Sequence, residues 1–115
     1  MEKMQILIEF SKSISKEDRE SLLLDLKEYL ELTEIKVKQF NVDWISVIGA
    51  LKDGAAIVGG LYSIINIAYK IITWRNAMKT KNKSCNARIK IPESSIIDLD
   101  ACKDQEIIDI FTQRK

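Results

Sequence analysis

Residues 54–79 read GAAIVGGLYSIINIAYKIITWRNAMK, and this stretch decides how the rest of the chain can fold. From Gly54 to Tyr69 it contains no charged residue. Its apolar side chains recur at helical spacing along a broad face, and a narrow polar stripe follows the same helix at spacings of four and three. The pattern predicts one long helix that continues through Lys79 and buries its apolar face.

Small residues are concentrated at the start of this helix. All four glycines of the chain fall between Gly49 and Gly60. Ala55 with Gly59, and Ala56 with Gly60, place small residues four apart on two adjacent helix faces. Such spacing lets another backbone approach closely. We therefore predict that Gly59 and Gly60 mark a close helix contact, either within the fold or between subunits.

The same helix has the length of a membrane span. Gly54 to Trp74 provides 21 residues, and about 20 are needed to cross the hydrocarbon of a bilayer. Asn66 and Lys70 lie inside this segment, and polar side chains are costly in hydrocarbon. The flanking strands also need a helix to cover their apolar face. We interpret the segment as the central core helix, and membrane insertion is the alternative.

The segments on either side of the long helix contain short strand patterns. In each of them apolar residues alternate with polar ones, which is the period of a strand that buries one face. Phe40 and Trp44 are interpreted as core or hinge residues, with a loop at 41–43. The four predicted strands cover residues 4–10, 35–38, 87–91 and 96–99.

Two shorter helices complete the predicted fold. Ser15, with Asp18 three residues later, forms a capping pair that opens a leucine-striped helix ending near Leu32. Asp100 is predicted to cap the last helix. The element order is strand, helix, strand, long helix, strand, strand, helix. It predicts an α+β fold in which one domain, residues 1–115, packs a small four-stranded sheet against the central apolar helix.

The composition of the 115-residue chain excludes several kinds of catalytic site. There is no histidine, which rules out Ser-His-Asp and Cys-His catalysis and histidine-ligated metals. Cys85 and Cys102 are too few for a four-thiolate zinc site. No phosphate-binding glycine loop is present either. We predict no enzyme activity, no metal and no cofactor, and we expect reduced, dispensable thiols in a cytoplasmic protein.

The net charge of +1 hides a strong segregation of charge along the chain. Residues 54–92 hold seven basic and no acidic side chains, whereas 1–53 hold eight basic and eleven acidic ones, and 93–115 hold three and six. Such asymmetry can mark contact with nucleic acid or anionic lipid. Because Trp74 is the one aromatic next to the basic residues between Arg75 and Lys90, nucleic acid is not the expected partner. We interpret the asymmetry as charge complementarity within the folded chain, plus a solvated cationic loop.

The end of the long helix is the predicted interaction site. Trp74 and Arg75 are expected to be exposed there, and these two residue types are enriched in binding hot spots. Lys79 and Lys83 follow in a run without acidic residues, which suits an acidic surface such as the glutamate-rich first helix of another copy. We therefore predict that all four residues contact a protein partner or a second copy of the chain.

The order of the elements and several landmarks resemble a known family. The landmarks are the acidic leucine-striped helix, the Gly59-Gly60 pair, Trp74-Arg75 before a basic tail, ARIKI at 87–91, IIDLDA at 96–101 and EIIDIF at 106–111. From about Ile6 to Phe111 the chain resembles the effector-associated constant component domain of bacterial conflict systems. The resemblance implies a non-enzymatic adaptor that couples or assembles protease-type or ATPase-type effectors in antiviral defence. The alternative is a small membrane-active effector that inserts the Gly54 to Trp74 helix as an oligomer.

Overall fold

The fold is α+β, with three helices and one five-stranded antiparallel sheet in the described part of the chain. A computed structural model describes residues 5–39, 42–51, 53–91 and 96–112, of which 35–39, 42–43, 51 and 53–63 are described by their backbone alone. The elements are β1 (Gln5–Ser11), α1 (Lys16–Leu26), β2 (Leu30–Gln39), β3 (Val42–Leu51), α2 (Asp53–Thr80), β4 (Ala87–Lys90), β5 (Ile97–Asp98) and α3 (Asp104–Thr112).

The strand order in the sheet is β2-β3-β1-β4-β5, and each neighbouring pair is antiparallel. The first strand of the chain therefore lies at the centre. Leu7 of β1 is opposite Ile48 of β3 on one side and opposite Lys90 of β4 on the other. The last two strands pair as the predicted hairpin. The long β2 and the two-residue β5 form the edges.

The hydrophobic core lies between one face of the sheet and the three helices. Ile6, Ile8 and Phe10 of β1 are buried and alternate with more exposed residues, so they share one face. Each such side chain contributes about 1.5–3 kcal/mol when fully buried. The helices add Leu22, Leu26, Ile67, Ala68, Ile71, Ile72, Trp74, Met78, Ile107 and Phe111 to the same cluster.

The long helix α2 is confirmed and supplies the largest share of these helical core residues. Ile67 and Ile71 are fully buried beneath the sheet. Within the ranges that the structure describes, no helix is long and apolar enough to cross a membrane. The predicted close contact at Gly59 and Gly60 lies outside the residues whose side chains are described.

The prediction of a four-stranded sheet is wrong because it missed β3, Val42–Leu51. This strand lies between β2 and β1, and its sequence places apolar side chains on both of its faces. Val47 faces the core, whereas Trp44 and Ile48 lie on the opposite face. A strand that is apolar on both faces loses the alternation by which a strand is recognised. Phe40, interpreted together with Trp44 as a core or hinge residue, lies outside the described residues.

The first helix begins as predicted but ends earlier. The Ser15 hydroxyl accepts a hydrogen bond of 3.1 Å from the backbone N–H of Asp18, as the capping pair requires. The helix ends at Leu26, however, and β2 already begins at Leu30. Leu30 is buried as a strand residue. Because its spacing from Leu26 also continues a helical stripe, periodicity alone placed the helix end near Leu32.

Among the residues whose surroundings the structure describes, Gly49 is a glycine with a clear packing reason. It lies on the helix-facing side of β3, opposite Ile6. A Cβ atom built there would lie 3.0 Å from Ile6 Cγ2, 3.0 Å from Leu30 Cδ1 and 3.2 Å from Leu32 Cδ2. Any side chain at this position therefore has to push the neighbouring strands' side chains aside.

Replacing Gly49 with Leu should overpack this contact and lower the free energy of unfolding by about 1–3 kcal/mol. The adjacent Ala50 points to the partly exposed opposite face, so Ala50→Leu should change the stability by less than about 0.5 kcal/mol. Urea denaturation of the two variants and the wild type measures both effects. Wild-type stability in Gly49→Leu would contradict the packing role.

Candidate functional site

Trp74 is buried, so the prediction that it is exposed is wrong. Only 5% of its surface is accessible, and its ring meets Phe10 edge-on at a centroid distance of 6.3 Å. The indole N–H donates to the Asp18 carbonyl at 2.9 Å and to the Ser21 hydroxyl at 3.1 Å. A buried indole N–H needs such acceptors. Trp74 therefore attaches α1 to α2 and to the sheet, and its ring is not accessible for stacking on a base.

Arg75 is also buried, with 2% of its surface accessible, so its predicted exposure is wrong as well. Its Nη1 donates to the carbonyl oxygen of Cys102, and its Nη2 pairs with the carboxylate of Asp104. Asp104 is the first residue of α3, and half of its side chain is exposed. A buried cation is tolerated only with such compensation. Arg75 therefore holds the start of α3 against α2.

Two consecutive residues thus attach both short helices to the long one. Neighbouring positions on a helix point about 100° apart, so Trp74 reaches α1 while Arg75 reaches α3. We call this pair the helix clamp. The predicted exposure of the helix clamp is wrong because helical periodicity identifies only the apolar side of a helix. It gives no sign that an arginine next to that side is buried as well.

The ion pair in the helix clamp should be strongly coupled. Asp104→Ala leaves Arg75 buried without its carboxylate, so we expect a loss of about 2 kcal/mol in unfolding free energy. In the double variant Arg75→Met, Asp104→Ala, the loss should be at least about 1 kcal/mol smaller than the sum of the single losses. Denaturation of all four proteins gives the coupling. Asp109→Ala, which removes another carboxylate of α3, should change little, and strict additivity at Arg75 and Asp104 would contradict the coupling.

In the described part of the chain, three basic residues of the cationic segment 54–92 pair with acidic residues that lie outside it. One is Arg75 in the helix clamp. Lys83 Nζ lies 3.0 Å from the Asp18 carboxylate, and Arg88 Nε lies 3.0 Å from the Glu9 carboxylate. The bridges reach both acidic flanks, so the expected charge complementarity is confirmed for these residues.

The two lysines of the predicted interaction site differ in their surroundings. Lys83 donates to Asp18, and this hydrogen bond, followed by that from Ser15, lowers the pKa of the Asp18 carboxyl. Lys83 thereby contributes to attaching α1. Lys79 is exposed in the last turn of α2. A partner contact at either lysine stays a prediction.

Asp100 does not cap α3, contrary to the prediction. The helix begins at Asp104, and Glu106 accepts a hydrogen bond from the N–H of Lys103 at that end. The Asp100 carboxylate instead accepts from the Ser84 hydroxyl and from two backbone N–H groups. The distances are 2.7 Å to Ser84 Oγ, 2.6 Å to Cys85 N and 3.0 Å to Asn86 N. Aspartate serves as a cap and as a loop acceptor alike, and here it binds the segment before β4 to the end of β5.

Acid should weaken the fold through Asp100. Burial by itself raises the pKa of this carboxyl, but the hydrogen bonds from Ser84, Cys85 and Asn86 outweigh burial and hold the pKa below its usual 3.8. A lowered folded-state pKa gives stability that is present above pH 3.8 and is lost as the pH falls through the folded-state pKa. Asp100→Asn should therefore be less stable at pH 7 and lose less on acidification. Urea unfolding between about pH 7 and 2 tests this, and an equally steep acid loss in both proteins would contradict it.

Both cysteines are buried and free, as expected. Burial raises the pKa of Cys85 to about 12 and also raises the pKa of Cys102. The thiolate is the reactive form of cysteine. Both thiols are therefore protonated at neutral pH and serve as small core residues, while their dispensability stays a prediction.

The sheet face opposite the helices carries partly exposed apolar side chains. The members of this outer patch are Leu7, Trp44, Ile48 and Ala50. Ile48 is the most exposed of them, at 36%, and lies opposite Leu7 in the register. Sheets with one solvated face usually place polar residues there. An apolar group at this position is therefore available to another molecule.

A tryptophan and an arginine stack at the border of the outer patch. The guanidinium carbon of Arg88 lies 4.3 Å from the centre of the Trp44 ring, and Glu9 Oε1 accepts a hydrogen bond of 3.0 Å from Arg88 Nε. The two contacts fix the arginine over the ring. A shallow pocket of about 230 Å³ adjoins this stack and is lined by Ser11, Trp44, Asn86, Ala87, Arg88, Asp98 and Asp100. The described residues hold no group of three side chains able to bind a metal.

Comparison of the chain with protein-family models, with curated proteins and with solved structures finds no match. The resemblance to the effector-associated constant component domain therefore stays a prediction. It rests on the element order and on the landmarks in the sequence.

Proposed function

We propose that the protein is a non-enzymatic adaptor that couples or assembles effector proteins of a bacterial defence system in the cytoplasm. The observation that carries the proposal is the outer patch, an apolar surface on the sheet face that the helices leave open. Ile48 and Leu7 form its centre, and the fixed stack of Trp44 and Arg88 lies at its border. Tryptophan and arginine are the residue types that dominate binding hot spots.

The charges around the outer patch define the partner that it fits. Lys90 is exposed and lies beside Leu7 in the register, whereas Glu9 already neutralises Arg88. A complementary surface has apolar side chains at its centre and a carboxylate that faces Lys90. The effector in this proposal is therefore a folded protein with such a surface, of the protease or ATPase type.

The tryptophan–arginine pair that we propose for partner recognition is Trp44 with Arg88, in place of the predicted Trp74 with Arg75. Trp74 and Arg75 are buried and attach the helices, whereas Trp44 and Arg88 are partly exposed on the outer face of the sheet. Lys79 remains a further candidate contact because it is exposed.

Binding to an effector encoded beside this gene tests the proposal. A charged residue in the middle of an apolar contact leaves a carboxylate without compensation, so Ile48→Glu should raise the dissociation constant at least about tenfold. Tyr69→Glu is the matched control, because Tyr69 is an exposed apolar residue on α2, 51% accessible, away from the outer patch. Titration calorimetry with purified proteins measures both, and circular dichroism confirms that both variants fold.

Two results would overturn the proposal. If Ile48→Glu binds the effector as tightly as the wild type, the outer patch is not the contact surface. If the wild type binds none of the protease-type or ATPase-type proteins encoded beside it, the adaptor function itself is wrong.

A further inference from the structure

The edge strand β2 is long and has one free side in the described sheet. It contains ten residues, and along one of its two edges each of them is paired with a residue of β3. On its outer side no strand pairs with it among the described residues. A strand edge of this kind presents a row of N–H and C=O groups that another strand can bind.

The sequence of β2, LELTEIKVKQ, is self-complementary in charge when two copies run antiparallel. Glu34 and Lys36 flank Ile35 symmetrically. With a two-fold axis through Ile35, Glu34 of each copy lies opposite Lys36 of the other, so two opposite-charge pairs form. Directly opposed charges of opposite sign stabilise a strand pair, and like charges destabilise it.

The neighbouring registers are disfavoured by the same charges. Directly opposed residues of two paired strands lie on the same face of the sheet. If the helices of both copies lie on one side of the joined sheet, the two-fold axis therefore passes between a residue and its own counterpart in the other copy. An axis on Glu34 places two glutamates opposite each other, and an axis on Lys36 does the same for two lysines. An axis on Lys36 also places Glu34 of each copy opposite Lys38 of the other, but only the register centred on Ile35 forms two opposite-charge pairs and no like-charge pair.

We infer that β2 pairs with β2 of a second copy, centred on Ile35, and joins two five-stranded sheets edge to edge in a two-fold dimer. Thr33 and Ile35 are opposite Ile48 and Ser46 in the register of β3, so the joined strands are continuous with both outer patches. The dimer would present two outer patches on one face. The pairing requires only the strand edge and its charges, so it does not depend on the adaptor function.

Charge reversal tests the pairing and its register together. Glu34→Lys and Lys36→Glu each convert both opposite-charge pairs of the homodimer into like-charge pairs, so each should weaken dimerisation about tenfold. A mixture of the two variants restores two opposite-charge pairs and should dimerise like the wild type. The double variant Glu34→Lys, Lys36→Glu should do the same. Analytical ultracentrifugation over a concentration series measures all of these.

The matched control is Glu31→Lys. In the inferred register Glu31 lies opposite Gln39 of the other copy, so reversing its charge should change the dissociation constant by less than about twofold. Circular dichroism at low concentration shows that each variant is folded, and the restored mixture is informative even if one variant is less stable.

The inference is overturned if the wild type stays monomeric at the highest soluble concentration. It is also overturned if the mixture and the double variant remain as weak as the single variants, or if Glu31→Lys weakens dimerisation as much as Glu34→Lys. Effector binding by Glu34→Lys separates failure of the dimer from failure of the proposed function. This variant has an unchanged outer patch, so it should bind the effector even though it dimerises weakly. Ile48→Glu should conversely bind the effector weakly and still dimerise, because its β2 is unchanged.

Discussion

The helix clamp, Trp74 and Arg75, is the contact on which the arrangement of the helices depends. Its two side chains are buried polar groups, so their hydrogen bonds specify where α1 and α3 lie more narrowly than apolar packing does. Arg75 Nε has no hydrogen-bond partner among the described residues, which makes the arginine costly to bury. A buried ion pair is a weak source of net stability. Its contribution here is to define one position for α3.

The sheet topology converts a segregated sequence into a balanced molecule. The cationic segment 54–92 lies between two acidic segments along the chain. Because β1 and β4 are neighbours in the sheet, Glu9 and Arg88 become direct cross-strand partners. Lys83 in turn meets Asp18 at the start of α1. The charges of the helix ends and strands therefore favour the same topology as the apolar core does.

Elements whose patterns are local were predictable from the sequence. Three parts of the fold are recognisable from their own residues alone: the alternating strand β1, the long apolar helix α2 and the hairpin of β4 and β5. β3 is hidden in the sequence because apolar residues such as Val47 and Ile48 lie on opposite faces of it, which removes the alternation. The end of α1 is hidden because Leu30 fits a helical stripe as well as a strand.

The candidate site was harder to predict than the fold. Whether a tryptophan can be buried depends on a hydrogen-bond acceptor for its indole N–H, and that acceptor can be distant in sequence. The acceptor for Trp74 is the carbonyl oxygen of Asp18, 56 positions away. The stack of Trp44 and Arg88 likewise depends on the order of three strands, since β1 separates the two residues. Strand order is set by the whole chain and leaves no mark in either residue's neighbourhood.

The central position of β1 has a consequence for the order of assembly. During synthesis the strands β1, β2 and β3 can associate early, because all three lie within the first 51 residues. The second neighbour of β1 is β4, and the pair of Glu9 and Arg88 spans 79 positions. Until β4 leaves the ribosome, one side of β1 has no partner strand and the apolar face of the sheet lacks part of its cover. The last quarter of the chain therefore completes the middle of the sheet, so a truncated chain would expose an interior strand at its edge.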